Sequence, residues 1–199
     1  MKLGVGTLAL LPAGLTTYQF LTDQLGANPI AEAMNKYGYW TLVLLLATLA
    51  CTPLKTLFGW NWPLAVRRLL GLCAFAVGSL HFLTYLVLDQ FFDFAAIWED
   101  IVKRKFITIG FLAFVLLVPL AVTSTNGMVR RLGFPRWKRL HRLTYVAAVA
   151  GVVHYVWRVK ADLVEPLIFA GVLALLFAIR LATWLKTDGK GARAVRPVA

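Results

Sequence analysis

Acidic side chains are scarce in this chain: 9 Asp and Glu stand against 21 Lys and Arg among 199 residues, a formal net charge of +12. Charged residues of both signs make up 15% and hydrophobic residues 60%, with a mean hydropathy of +0.73. Ordinary soluble domains carry about 25% charged and about 45–50% apolar residues, so a water-soluble globular domain is excluded. Cysteine is almost absent, and Cys51 and Cys73 lie in apolar runs without a CxxC spacing. That excludes a disulfide framework and argues against a zinc or iron–sulfur centre, leaving two structural thiols. Gly-rich phosphate cradles of the GxGxxG or Walker type are also missing, so the chain has no nicotinamide-dinucleotide domain of its own. Neither a second domain nor an inverted internal repeat of the transporter kind is visible.

What the sequence has is long apolar runs. About 20 mostly apolar residues cross a hydrocarbon core of about 30 Å as a helix. Six stretches meet that requirement, over about 3–21, 39–57, 69–88, 106–123, 140–157 and 167–185. The expected fold is an all-α integral membrane protein of six transmembrane helices forming one domain over 1–186, with a flexible tail over 187–199. The first run resembles a secretion signal, because Lys2 precedes it and Ala31-Glu32-Ala33 has the small-x-small form. That site lies too far beyond the apolar run, which predicts an uncleaved helix, interrupted or bent near Pro12.

Basic residues in short loops resist translocation and set orientation. Lys2, then Lys55, Arg67 and Arg68, then Arg130, Arg131, Arg136, Lys138, Arg139 and Arg142, then the tail from Lys186 fall into alternate loops. All belong on the cytoplasmic side, with both termini. The remaining loops are poorer in basic residues or balanced by acids such as Asp23, Asp89, Asp93, Glu99 and Asp162. The charge excess is therefore a topology signal and not a nucleic-acid footprint. All seven tryptophans fall near span ends, where interfacial aromatics belong.

Three histidines, His81, His141 and His154, fall in or at the ends of these spans. Ionisable residues in a bilayer are costly and are functional candidates by default. Imidazole is an axial ligand of b-type haem, with one nitrogen from each of two facing helices. The competing reading is a histidine hydrogen-bonded across a helix interface. His81 lies eight residues before Asp89, about 12 Å from the outer end of its helix, and His154 lies four before Arg158, about 6 Å from the same side. The two can share one haem iron in the outer half of the membrane.

His141 is thirteen residues before His154, about 20 Å lower on a continuous helix, and cannot bind that iron. A second, inner haem would need a partner thirteen residues before His81, and that residue is Arg68. Arginine offers no lone pair to a metal but is a good propionate partner. Thirteen residues at about 100° each also leave His141 and His154 about 140° out of register. Either the fifth span is distorted at its start, or His141 serves a flavin, a quinone or a haem propionate.

Other residues have plainer readings. Arg180, inside the sixth span, can snorkel to the cytoplasmic face or contact haem or quinone. The cluster from Arg136 to Arg142 sets topology and could attract anionic lipid or a flavin phosphate. Ser79, Thr84, Thr123, Ser124 and Thr125 suit bonds to backbone carbonyls or neighbouring helices. Gly71 and Gly78 would admit either a flat ring or a second helix.

The stretches RRLLGLCAFAVGSLHFLTY (67–85), KRKFITIG running on to PLAVTST (103–125) and RRLGFPRWKRLHRLTYVAAVAGVVHYVW (130–157) resemble the MsrQ family, formerly YedZ. Its members are haem-containing membrane subunits of a periplasmic methionine sulfoxide reductase system, within the ferric-reductase-like superfamily. The likeness covers nearly the whole chain; one departure is Lys105-Phe106, where the family more often has Pro-Tyr. The resemblance implies that His81, His141 and His154 are haem-associated, with a metal role for His81 and His154 and an inner site at His141. It implies one or two b-type haems, an FMN, and a place in the bacterial inner membrane. Electrons would come from quinol or a cytosolic flavin reductase and leave to a periplasmic molybdopterin-containing subunit, where sulfoxide is reduced. Competing readings are a transmembrane ferric or oxygen reductase, and a transporter or proton channel with histidine relays.

Overall fold

Proline, glycine and capping side chains punctuate an otherwise continuous series of apolar helices. The computed structural model describes residues 2–193, with side chains through Lys186. The order is α1 (Lys2–Leu21), α2 (Pro29–Phe58), α3 (Trp62–Leu83) with a π-helical end (Thr84–Asp89), α4 (Phe94–Lys103), α5 (Lys105–Val122), α6 (Asn126–Leu132), α7 (Phe134–Leu140), α8 (Leu143–Arg158) and α9 (Val164–Arg193). Every regular element among the described residues is helical. The expected tail over 187–199 lies beyond the described side chains, and 194–199 lie outside the described residues altogether.

Local chemistry sets the boundaries. Asn28 accepts the Ala31 N–H at 3.0 Å, and Pro29 opens α2 at the position where a missing N–H costs nothing. Gly59 ends the helix in the left-handed region (φ 71°), returning its N–H to the Lys55 carbonyl. The chain then turns within three residues into α3, so α2 and α3 pack antiparallel. Asp93 caps α4 by accepting from Ala95 and Ala96, each at 3.0 Å. Just before it, Phe91 and Phe92 sit at positive φ (46° and 61°), a costly conformation for aromatic residues.

Pro12 stands inside α1, which nevertheless runs unbroken from Lys2 to Leu21. The expected interruption there is not present. The fifth expected span, by contrast, does not begin at 140: α7 ends at Leu140, His141 and Arg142 form a turn, and α8 starts at Leu143.

Among the described residues, four helical segments are long and apolar enough to cross a membrane: Pro29–Phe58, Trp62–Asp89, Lys105–Val122 and Val164–Lys186. The other two expected spans correspond to α1, whose hydropathy is diluted by three glycines and three threonines, and to α8, with 16 residues. Large apolar side chains such as Leu8, Leu15, Leu112, Val115, Ile168 and Leu175 face outward along these helices. That exposed belt is what a lipid solvent allows and water does not. The molecule is a multi-pass membrane protein.

Inside, small residues bring backbones together. Ala74, Val77, Ala147 and Ala148 are fully buried between α2, α3 and α8, and Leu42, Leu45, Leu46 and Leu49 fill the centre. Gly71 and Gly78 lie against Thr48 and Thr41 of α2, so they serve helix approach and not a flat ring. Ser79, Thr84, Thr123 and Ser124 return their hydroxyls to the carbonyls of Phe75, Leu80, Pro119 and Leu120, and Thr125 caps α6.

Candidate functional site: two facing histidines

Two helical hairpins, α2–α3 and α5–α8, each present one imidazole to the space between them. His81 on α3 and His154 on α8 have ring centroids 6.1 Å apart and ring planes at 77°. His81 Nδ1 lies 2.8 Å from the carbonyl oxygen of Met34 on α2. His154 Nδ1 lies 2.6 Å from that of Phe106 on α5. A carbonyl only accepts, so each Nδ1 carries the proton and each Nε2 is left with its lone pair. Neither Nε2 has a hydrogen-bond partner among the described residues.

This donor set can be tested against a group that needs two axial nitrogens. Two imidazoles on opposite sides of one metal, each nitrogen about 2 Å from it and each ring centre about 1 Å further, have centroids about 6 Å apart. The observed separation fits. Among the described residues no group of three or more His, Cys, Asp or Glu converges, so a bare ion would lack its remaining ligands. The pair suits a metal whose equatorial positions are filled by a macrocycle.

Phe106 lies 6.1 Å from His154, and next to His81 in the chain Phe82 begins a stacked run with Phe114 at 4.8 Å that continues to Phe75 at 5.9 Å. One turn beyond His154, Arg158 donates through Nη2 to Asn35 Oδ1, beside Met34. It adds a cation at the rim near both histidines. Arg158 and Phe106 are not among the residues that the sequence marks for chemistry, although the i+4 spacing of Arg158 from His154 places both on one helix face.

His141 is placed elsewhere. It packs on Trp137 with centroids 4.0 Å apart, and its Nε2 lies 3.2 Å from Thr123 Oγ1. The Thr123 hydroxyl proton is committed to the Pro119 carbonyl at 2.6 Å, so Nε2–H of His141 donates to Thr123. The nitrogen that His81 and His154 leave free is thus occupied here. Trp137 also donates its indole N–H to the Thr123 carbonyl at 2.9 Å. Arg68, exposed at the same end of the bundle, donates to Asn126 Oδ1 at 2.7 Å and is not brought to either histidine of the pair.

The paired hairpins match known proteins in that region. Residues 36–152 match the family described as the ferric reductase like transmembrane component, an interval that contains α3, α5 and His141 and ends just before His154. Over 190 residues the chain is 58% identical to the protein-methionine-sulfoxide reductase heme-binding subunit MsrQ of Rhodospirillum rubrum, covering 96% of this chain and 91% of that protein. The chain belongs to the MsrQ family. The subunits of that name from Herminiimonas arsenicoxydans and Deinococcus radiodurans are 52% and 47% identical, covering 94% and 90% of this chain and 87% and 89% of theirs. No solved structure matches the chain.

Proposed function

We propose that this protein is the membrane electron-transfer subunit of a methionine sulfoxide reductase system, holding a b-type haem between His81 and His154. The observation that carries the reading is the facing pair itself: centroids 6.1 Å apart, both Nδ1 protons committed to helix carbonyls, both Nε2 lone pairs free. The names of the relatives, which describe heme-binding subunits, support the same group here. A b-type haem held by His81 and His154 would supply one-electron transfer.

The protein's own residues do the rest. His81 and His154 would hold the group through Nε2, and the Met34 and Phe106 carbonyls hold each ring in one tautomer and orientation. Phe106 sets an apolar ring beside His154. Arg158, steadied by Asn35, offers a cation to carboxylates at the rim. His141, tied to Thr123 and Trp137, would shape the opposite end, where electrons enter, and Arg68 with Asn126 would receive an anionic group of the donor. An inner haem at His141 would require it to release Thr123.

On this reading α1 and α8 complete six spans, both termini are cytoplasmic, and the protein sits in the bacterial inner membrane. Quinol or a cytosolic flavin reductase, with FMN as an intermediary, delivers electrons. A periplasmic molybdopterin-containing subunit receives them and reduces the sulfoxide.

The test is to purify the protein in detergent and record oxidised and reduced visible spectra with haem quantified per chain. A low-spin b-type spectrum lost in both His81→Ala and His154→Ala, with insertion unchanged, is expected. No haem after supplementation, or a spectrum unaltered in both variants, would overturn the reading.

A further inference from the structure

The two histidines are seated by the same device twice. In each hairpin a helix carbonyl that already accepts the N–H four residues on also accepts a histidine Nδ1–H, and in each the residue four positions on is glycine. Met34 is followed by Gly38 on α2, and Phe106 by Gly110 on α5. A side chain at that position would stand between the carbonyl and the imidazole. A Cβ built on Gly38 would lie 3.1 Å from His81 Nδ1 and Cε1, and one built on Gly110 only 2.5 Å from His154 Nδ1 and 2.8 Å from its Cε1. The chain separations from carbonyl to ring are 47 and 48 residues. The two helix pairs, α2–α3 and α5–α8, thus share one glycine-exposed carbonyl and one histidine at nearly equal chain separation.

Glycine in membrane helices is often explained by close helix packing, as at Gly71 and Gly78, which face Thr48 and Thr41. Gly38 and Gly110 face the imidazoles instead. A ring nitrogen donating to a carbonyl makes the opposite nitrogen a better electron-pair donor and fixes where it points.

We propose that Gly38 and Gly110 are positioning residues for the paired histidines: each exposes a helix carbonyl that locks its imidazole in the Nδ1–H tautomer and aims Nε2 between the hairpins. This rests on the haem-binding reading above and adds residues to that site. The asymmetry of the contacts ranks the effects. At 2.5 Å the ring or the helix must shift, whereas at 3.1 Å the ring needs to give only a few tenths of an ångström.

The experiment compares Gly110→Ala, Gly38→Ala and the packing control Gly71→Ala in the full-length protein. Haem affinity, reduced spectrum and midpoint potential are read, together with histidine ¹⁵N NMR of the haem-free protein. Gly110→Ala should weaken haem binding about tenfold or more, the usual cost of losing a partner behind a metal-bound histidine. Its potential should move upward as imidazole donation falls. The ¹⁵N signature of Nδ1 protonation at His154 should broaden or change. Gly38→Ala should move the same quantities in the same direction by less, and Gly71→Ala should leave all of them at wild-type values.

If Gly110→Ala fails to accumulate, Gly38→Ala decides, and its equivalence to Gly71→Ala overturns the proposal. A wild-type protein that binds haem, with glycine variants unchanged in affinity, spectrum, potential and tautomer, overturns the glycine assignment alone. A wild-type protein that takes up no haem overturns the haem reading, and the ¹⁵N signatures then decide the tautomer lock by themselves.

Discussion

Arg180 Nη2 on α9 donates to the Leu49 carbonyl on α2 at 2.6 Å, and that carbonyl is the one that Pro53, lacking an N–H, leaves without its helical partner. The guanidinium also donates through Nη1 to Tyr145 OH at 3.0 Å and lies 5.2 Å above that ring, so it joins α9, α2 and α8. Nε is buried with no partner among the described residues. A proline in a membrane helix is tolerated where a neighbouring element satisfies the freed carbonyl, and here an arginine does so.

Arg180→Lys should therefore destabilise the bundle by about 1 kcal/mol, since one ammonium cannot serve both acceptors. In a chain of this size that is a fall of about 2–4 °C in Tm. The cost should shrink in a Pro53→Ala background, where Leu49 regains a helical donor, and a double-mutant cycle measures that coupling. Additive effects would show that the two residues are independent. Loss of donor-driven reduction at unchanged Tm and haem content would move Arg180 into the electron path.

His141→Ala should leave the spectrum and the haem-to-chain ratio of the purified protein unchanged, because its Nε2 is engaged by Thr123 and not free for a metal. Removing its stack on Trp137 should lower stability by about 1 kcal/mol, the scale of an aromatic pair. Haem quantification on the two proteins checks this. A ratio falling from two to one would identify an inner haem at His141.

That His81 and His154 lie in the same half of the membrane was legible from helical rise, because depth along a membrane helix is nearly a one-dimensional quantity; that their rings face each other comes from helix packing. The position of His141 was only half legible. Its depth follows from counting, but the turn at His141 and Arg142 replaces the continuous helix that the apolar run suggested. Apolar composition does not distinguish a helix from a turn whose carbonyls are satisfied by neighbours. Gly38 and Gly110 were not legible at all, because glycine at a helix interface reads the same whether it faces a threonine or an imidazole. Their spacing from Met34 and Phe106 acquires meaning only once the facing rings are placed. Arg158 was hidden for another reason: in a loop that also holds Asp162 and Glu165, its charge reads as one half of a balanced loop.

Asp93→Ala should fray α4 from its first turn. The Asp93 carboxylate accepts from two consecutive N–H groups, and losing such a cap costs about 1 kcal/mol. The other end of α4 is held separately, by the Asp100 carboxylate that accepts from Tyr85 OH at 3.1 Å and pairs with Arg104 at 3.0 Å. Amide hydrogen exchange should therefore accelerate at Ala95 and Ala96 and stay slow near Arg104. Uniform acceleration along α4 would mean that the cap, and not the Tyr85 tether, holds the whole helix.

Arg158→Gln should lower the midpoint potential of the bound haem while leaving both axial ligands in place. Arg158 stands one turn from His154 and is fixed by Asn35, so its charge is held near the pair, whose rings lie within the bundle. A nearby cation favours the reduced form of any redox group, and in low dielectric that preference survives salt. Removing it should shift the potential downward by tens of millivolts, a tenfold change in a one-electron equilibrium being about 59 mV. Glutamine retains a donor toward Asn35, so the α8 end should stay in place and the low-spin spectrum should be unchanged. Asn35→Ala should reproduce part of the shift by freeing the guanidinium to move into solvent. Redox titration of both variants at low and high salt checks the argument: a downward shift persisting in high salt is the expected result, and a potential equal to wild type in both would place the Arg158 charge outside the field of the histidine pair.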